Sequence, residues 1–195
     1  MPRQRNSRAS CHDECMLRFV RRGSPDAKQR QTSADPRAPR SALRRMIQRS
    51  DWLILFTAFE GVPEGLDPVR LQQSLFLFSR CPGVPPWSKY AFKPGVYGPI
   101  SDELYEDLDR LAGERMIEPV PVRGAHWSLY KPIDATFERA RRILRQAEAD
   151  DLVDATCQLA EIKQYVSSVG FGELLERVYA EHPEFAANSV FHRAA

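Results

Sequence analysis

The sequence predicts a mainly α fold with a small β-hairpin and additional C-terminal helices. Apolar residues recur at helical spacing through most of the chain beyond Ser50, which is the first ground for that expectation. Only one pair of short alternating segments flanks a tight glycine turn, which limits the sheet to a hairpin. Proline and glycine gather in one internal stretch, Cys81 to Ile100, which holds five prolines and three glycines.

The first 45 residues stand apart from this pattern. They carry 12 basic and 4 acidic side chains, net +8, leaving 16 basic and 22 acidic residues, net −6, in the remaining 150. The whole-chain charge of +2 is the sum of two unlike pieces. Arg, Ser, Gln and Pro dominate residues 1–45 without a sustained period, so the segment reads as a disordered basic tail. Three roles suit such a tail: a nucleic-acid-binding arm, an Arg-rich transit peptide, or an extension upstream of a start at Met46. The upstream extension or idle disorder is the reading taken here, because every patterned apolar face lies beyond Met46. Cys11-His12-Asp13-Glu14-Cys15 has metal-capable side chains, yet no second spaced pair follows to complete a tetrahedral zinc site.

Residues 46–195 then read as one mainly helical domain. Trp52, Leu55, Phe56 and Phe59 lie on one helical face, which Gly61, Pro63 and Gly65 terminate. Asp67-Pro68 pairs a capping carboxylate with a proline at the first helical position, so a second helix is expected from Pro68 to Arg80. Leu71, Leu75, Phe76, Leu77 and Phe78 make that helix apolar nearly all round, as suits the buried centre of a fold. Within the Pro/Gly-rich connection Tyr90-Ala91-Phe92 is expected to be a short strand. Ser101 is placed to cap a third helix with Leu104, Tyr105, Leu108, Leu111 and Ala112 inward. Asp102, Glu103, Glu106, Asp107 and Asp109 are assigned to its outer, acidic face.

Ile117 to Val122 and His126 to Tyr130 are expected to form the hairpin arms around Arg123-Gly124-Ala125. Pro132 opens a helix striped by Ile133, Phe137, Ala140, Leu144 and Ala147. Leu152, Ala155, Leu159, Ile162 and Val166 stripe the next helix. Phe171, Leu174, Leu175, Val178 and Tyr179 form the last face, after which Phe185, Val190 and Phe191 are expected to tuck back onto the body.

The order helix, helix, short strand, helix, hairpin resembles a winged-helix variant over residues 46–131, with residues 132–195 as C-terminal helices. Leu71-Gln72-Gln73-Ser74-Leu75-Phe76-Leu77-Phe78, followed by Tyr97-Gly98-Pro99-Ile100-Ser101 and Leu104-Tyr105 through Leu111, resembles the Panacea antitoxin-like domain. That family shows an apolar helix of the KLQKLLYF kind and then an aromatic-Gly-Pro turn opening a helix. Arg70 stands nearest the lysine that often opens its first motif. Leu174-Leu175, Val178-Tyr179 and Pro183 resemble the C-terminal signature of bacterial relatives. The resemblance implies a bacterial protein that binds another protein, in some members a toxin, with no chemistry of its own.

The residues set function classes against one another independently of that likeness. The longest apolar run, Trp52 to Phe59, is eight residues, where a bilayer span needs about 20, so no membrane partner is expected. Four scattered cysteines fit a reducing cytoplasm better than a disulfide-stapled secreted domain. No phosphate loop, metal pair or nucleophile-base pair has recognisable spacing, so no enzyme and no cofactor are expected. Cys81, His126 and His182 are read as ordinary packed or solvated side chains, and Cys157 as core. A protein-interaction module of antitoxin or adaptor type is therefore the expected function, with Tyr97, Gly98, Pro99, Glu103, Tyr105, Glu106 and Asp107 as candidate partner contacts. The alternative is a winged-helix DNA-binding transcriptional regulator, with nucleic acid held by the tail or by Arg139, Arg142 and Arg145. Five carboxylates and a single arginine on Asp102 to Gly113 argue against groove insertion by that helix.

Overall fold

The structure is a computed structural model and describes residues 46–61 and 65–191. The expectations for residues 1–45, with the Cys11 to Cys15 cluster, lie outside the described residues. Among the described residues six α-helices, two antiparallel hairpins and two short 3-10 turns make a mainly helical fold with a winged-helix-like first part and further helices after it.

Helix α1 (Arg49–Ala58) starts where the Asp51 carboxylate accepts the Gln48 N–H at 3.0 Å. It is buried on every side from Ser50 to Ala58, so the central position expected of the second helix is shared by the first. Leu53 and Ile54, off the Trp52–Phe59 face, are covered by elements from the C-terminal half, which the local spacing could not reveal. Helix α2 (Pro68–Arg80) has the expected bounds, and the Asp67 carboxylate accepts the Arg70 N–H at 2.9 Å as its cap.

The connection after α2 differs from expectation in one respect. Its strands are β1 (Lys93–Gly95) and β2 (Gly98–Ile100), and Tyr90-Ala91-Phe92 precedes them as irregular backbone. The reason is lateral bonding. The Ala91 N–H donates to the Glu103 carboxylate at 3.0 Å, so this backbone donor needs no strand partner, and beside it the Tyr90 hydroxyl donates to Asp107 at 3.0 Å. Before them the 3-10 turn Pro86–Ser88 presents the Ser88 hydroxyl to the buried Trp52 indole N–H at 3.0 Å.

Helix α3 (Asp102–Gly113) follows β2 directly. Strands β3 (Ile117–Pro121) and β4 (Ser128–Pro132) pair from Ile117↔Pro132 to Pro121↔Ser128. His126 and Trp127 therefore lie in the turn and not on a strand, which corrects the expected register. Leu66 exchanges two backbone bonds with Tyr130, at 3.1 and 2.9 Å, and extends this sheet by one bridge. Gly65 leads into that bridge at φ +100°, where a Cβ would stand 2.8 Å from the Tyr130 carbonyl oxygen.

Helix α4 (Asp134–Ala149) begins two residues later than expected, where Thr136 accepts the Ile133 N–H at 2.8 Å. Helices α5 (Val153–Ser168) and α6 (Phe171–Glu181) complete the bundle. The 3-10 turn Pro183–Ala186 brings Phe185 against Phe76, ring centres 4.6 Å apart, with the Arg80 guanidinium 4.7 Å above the Phe76 ring. Phe185 is buried as expected, whereas Val190 and Phe191 remain exposed.

A lysine that the apolar stripes did not foreshadow sits in this core. Lys163 on α5 is 3% exposed, and its Nζ donates to the Phe56 carbonyl near the C-terminal end of α1 at 3.0 Å.

Candidate functional site

The two halves of the central motif touch. Gln72 and Gln73 are buried polar residues on α2, and both donate side-chain N–H groups to the turn that follows, while Gln73 Oε1 is left as a buried acceptor without a hydrogen-bond partner. Gln73 Nε2 donates to the Tyr97 carbonyl at 2.8 Å and lies 3.4 Å from that of Pro99. Gln72 donates to the Ser101 carbonyl and accepts from the Ser101 N–H, each at 2.9 Å. Four backbone groups of the turn and the α3 start are thus addressed by two adjacent side chains. The Ser101 hydroxyl, expected to cap α3, makes no such bond and is buried without a hydrogen-bond partner.

Gly98 is the tightest point of this assembly. Its φ is +95°, and an added Cβ would stand 2.8 Å from Leu175 Cδ1 and 2.9 Å from both amide atoms of Gln73. Gly98 and Pro99 are buried, so their contribution is to shape the turn. The two residues between the strands point outward. Val96 is 50% and Tyr97 54% exposed. The Tyr97 ring lies 5.9 Å from that of Phe191, which in turn lies 5.7 Å from Phe171 at the start of α6. Val96, Tyr97, Phe171 and Phe191 form one apolar surface patch on a base pinned by buried glutamines.

Tyr105 is half-buried, and burial raises its hydroxyl pKa while a hydrogen bond with Gln72 opposes the rise. It belongs to the base of the turn and not to the exposed patch.

The acidic face of α3 is only partly free, which corrects the outward assignment of two carboxylates. Asp107 is buried and accepts from the Tyr90 hydroxyl at 3.0 Å, Arg49 Nε at 3.2 Å and Arg110 at 2.7 Å. Glu103 is bound by the Arg49 guanidinium at 2.6 Å as well as by the Ala91 N–H. Burial, reinforced by the Asp107 carboxylate, pushes the Tyr90 hydroxyl well above the ordinary tyrosine range, so Tyr90 is a permanent donor. These groups tie α1, the connection and α3 together. Asp102, Glu106 and Asp109 are the carboxylates that remain on the surface.

The basic group on α4 divides in the same way. Arg139 is paired with the buried Asp51 at 2.9 Å, while Arg142 and Arg145 are exposed. Glu138 pairs with Arg141 at i+3. Arg139, Arg142 and Gln146 line a shallow cleft of about 130 Å³ with Asp51.

Other chemistry-bearing side chains stay apart. Among the described residues no three His, Cys, Asp or Glu side chains are grouped so as to hold a metal ion. Burial pushes the half-buried Cys81 thiol up, with the Arg177 charge opposing, so its thiolate is disfavoured, and Cys157 is buried. Among the described residues no helix is long and apolar enough to cross a membrane. Comparison with protein-family models, curated proteins and solved structures finds nothing that matches this chain.

Sequence reasoning missed Phe171 and Phe191 as members of the patch and the glutamines as its base. The signal for the glutamines was present: two adjacent amides in an apolar helix require buried hydrogen-bond partners.

Proposed function

We propose that this chain is a protein-interaction module of antitoxin or adaptor type, without catalysis of its own, whose partner docks on the patch around Tyr97. The observation that carries this reading is that half-exposed Val96 and Tyr97 stand together at the tip of a turn pinned from below by Gln73. Interface hot spots are clustered aromatics held on a rigid base, because little entropy is lost when such groups are covered. The net charge of −6 over residues 46–195 and the exposed Glu106 and Asp109 favour a partner with a basic rim. A toxin as that partner is the finer form of the reading and rests on the Panacea-like motifs.

A second reading draws on Arg142 and Arg145, whose exposure on one α4 surface suits phosphate contacts. Arg139 supports it less, since its charge is matched by Asp51.

Affinity capture from a bacterial host with wild-type protein and Tyr97→Ala, read by mass spectrometry, tests the first reading. A protein retained by wild-type and reduced at least tenfold on Tyr97→Ala is expected. Retention of nucleic acid alone, reduced by Arg142→Glu with Arg145→Glu and indifferent to Tyr97, would establish the second reading in its place.

A further inference from the structure

The C-terminal segment Asn188–Phe191 lies across the β1–β2 hairpin in the manner of a bound peptide. The Val190 N–H donates to the Val96 carbonyl at 3.1 Å, and the Asn188 side-chain amide donates to the Pro94 carbonyl at 3.2 Å. The next residue, Phe191, sets its ring between Tyr97 and Phe171 at 5.9 and 5.7 Å. The segment is turn and bend backbone, so it meets the hairpin through one main-chain bond, to the turn carbonyl of Val96, followed at once by an aromatic side chain seated between two rings.

This segment is nevertheless barely covered. Val190 is 63% and Phe191 56% exposed, and the Tyr97 and Val96 side chains beneath stay half in solvent. Ordering four residues costs backbone entropy that so little burial repays weakly, so the seated state is easily displaced. Tethering compensates in part, because a segment joined to α6 through the 3-10 turn Pro183–Ala186 is present at high effective concentration.

We propose that Asn188–Phe191 is a built-in pseudo-ligand of the Tyr97 patch, and that the partner binds by replacing it with a segment of its own that presents a backbone N–H and then an aromatic side chain. The inference rests on the interaction reading above and adds to it the chemistry of the partner and a means of regulation. A partner must outcompete the tethered segment, so any change that releases residues 188–191 increases affinity for the partner.

The test uses the full chain and a fluorescein-labelled peptide, Ala-Ala-Asn-Ser-Val-Phe, equivalent to residues 186–191. Val190→Pro with Phe191→Ala removes the donor and the ring at exposed positions, and Phe191→Ala alone serves as a milder release. Fluorescence anisotropy is expected to show saturable binding to the double variant at least tenfold tighter than to wild-type. Tyr97→Ala added to the double variant is expected to remove that binding. Equal affinity for wild-type and released proteins, or no saturable binding to the released one, would overturn the proposal. A captured protein that binds through Tyr97 with affinity unchanged by release would also overturn it while leaving the interaction reading intact.

Discussion

Gln73 donates its side-chain amide to the carbonyl oxygen of Tyr97 at 2.8 Å, so a buried residue of α2 fixes the backbone that carries a half-exposed aromatic side chain of the surface patch. The relationship explains why an apolar helix carries two neighbouring glutamines. It also makes the turn intolerant of change at Gly98, between the two partners.

Gly98→Ala is expected to lower unfolding stability by about 2 to 4 kcal/mol, combining a left-handed backbone position with overpacking against Leu175 and Gln73. Denaturant unfolding of the two proteins checks this. The same substitution at Gly124, which also has positive φ but no neighbour within 4 Å of an added Cβ, is expected to cost less, about 1 kcal/mol.

Two acidic residues one position apart on α3 are expected to behave oppositely. Asp107→Ala removes the common acceptor of Tyr90, Arg49 and Arg110 and is expected to cost about 1 to 3 kcal/mol, because the buried Tyr90 hydroxyl loses its partner. Glu106→Ala, at an exposed position, is expected to stay within about 0.5 kcal/mol of wild-type. Thermal unfolding of both variants decides whether the inward assignment of Asp107 is right.

Lys163 gives the fold a distinctive pH dependence. Burial lowers its pKa from 10.5 to about 7, so between these values the unfolded chain binds more protons than the folded one. Its destabilising contribution is therefore full below about pH 7 and fades as pH rises toward 10.5. Over that window it adds a slope of up to about 1.4 kcal/mol per pH unit in the direction of greater stability at high pH. Lys163→Met is expected to lose that slope, and the difference between the two stability curves against pH is the measurement.

Leu75 is 1% exposed on the α2 face that packs into the core. Leu75→Ala is expected to cost about 2 to 5 kcal/mol, read by chemical denaturation with an unchanged m-value.

The parts of this fold that were legible in the sequence are those decided within one or two helical turns. The α2 boundaries follow from Asp67, Pro68 and the residues after Arg80, and the stripes of α4, α5 and α6 follow from period alone. Features decided by partners distant along the chain were read less well. Glu103 and Asp107 occupy helix positions that look solvent-facing until Arg49, 54 and 58 residues away, is brought beside them. Tyr90-Ala91-Phe92 alternates like a strand but spends its polar groups on those same carboxylates. The candidate site shows the same division. Tyr97, Gly98 and Pro99 were marked by turn chemistry, whereas Phe171 and Phe191 join them only because the chain returns across the β1–β2 hairpin.

Hydrogen exchange of the full chain, measured alone and with the protein captured by it, tests the interaction reading most directly. Added protection is expected at the β1–β2 turn, residues 94–99, and at the α6 start, residues 171–175, with little change at the wing, residues 122–127. Protection confined to the wing and to the Arg142 and Arg145 surface of α4, with the Tyr97 turn unchanged, would contradict the account.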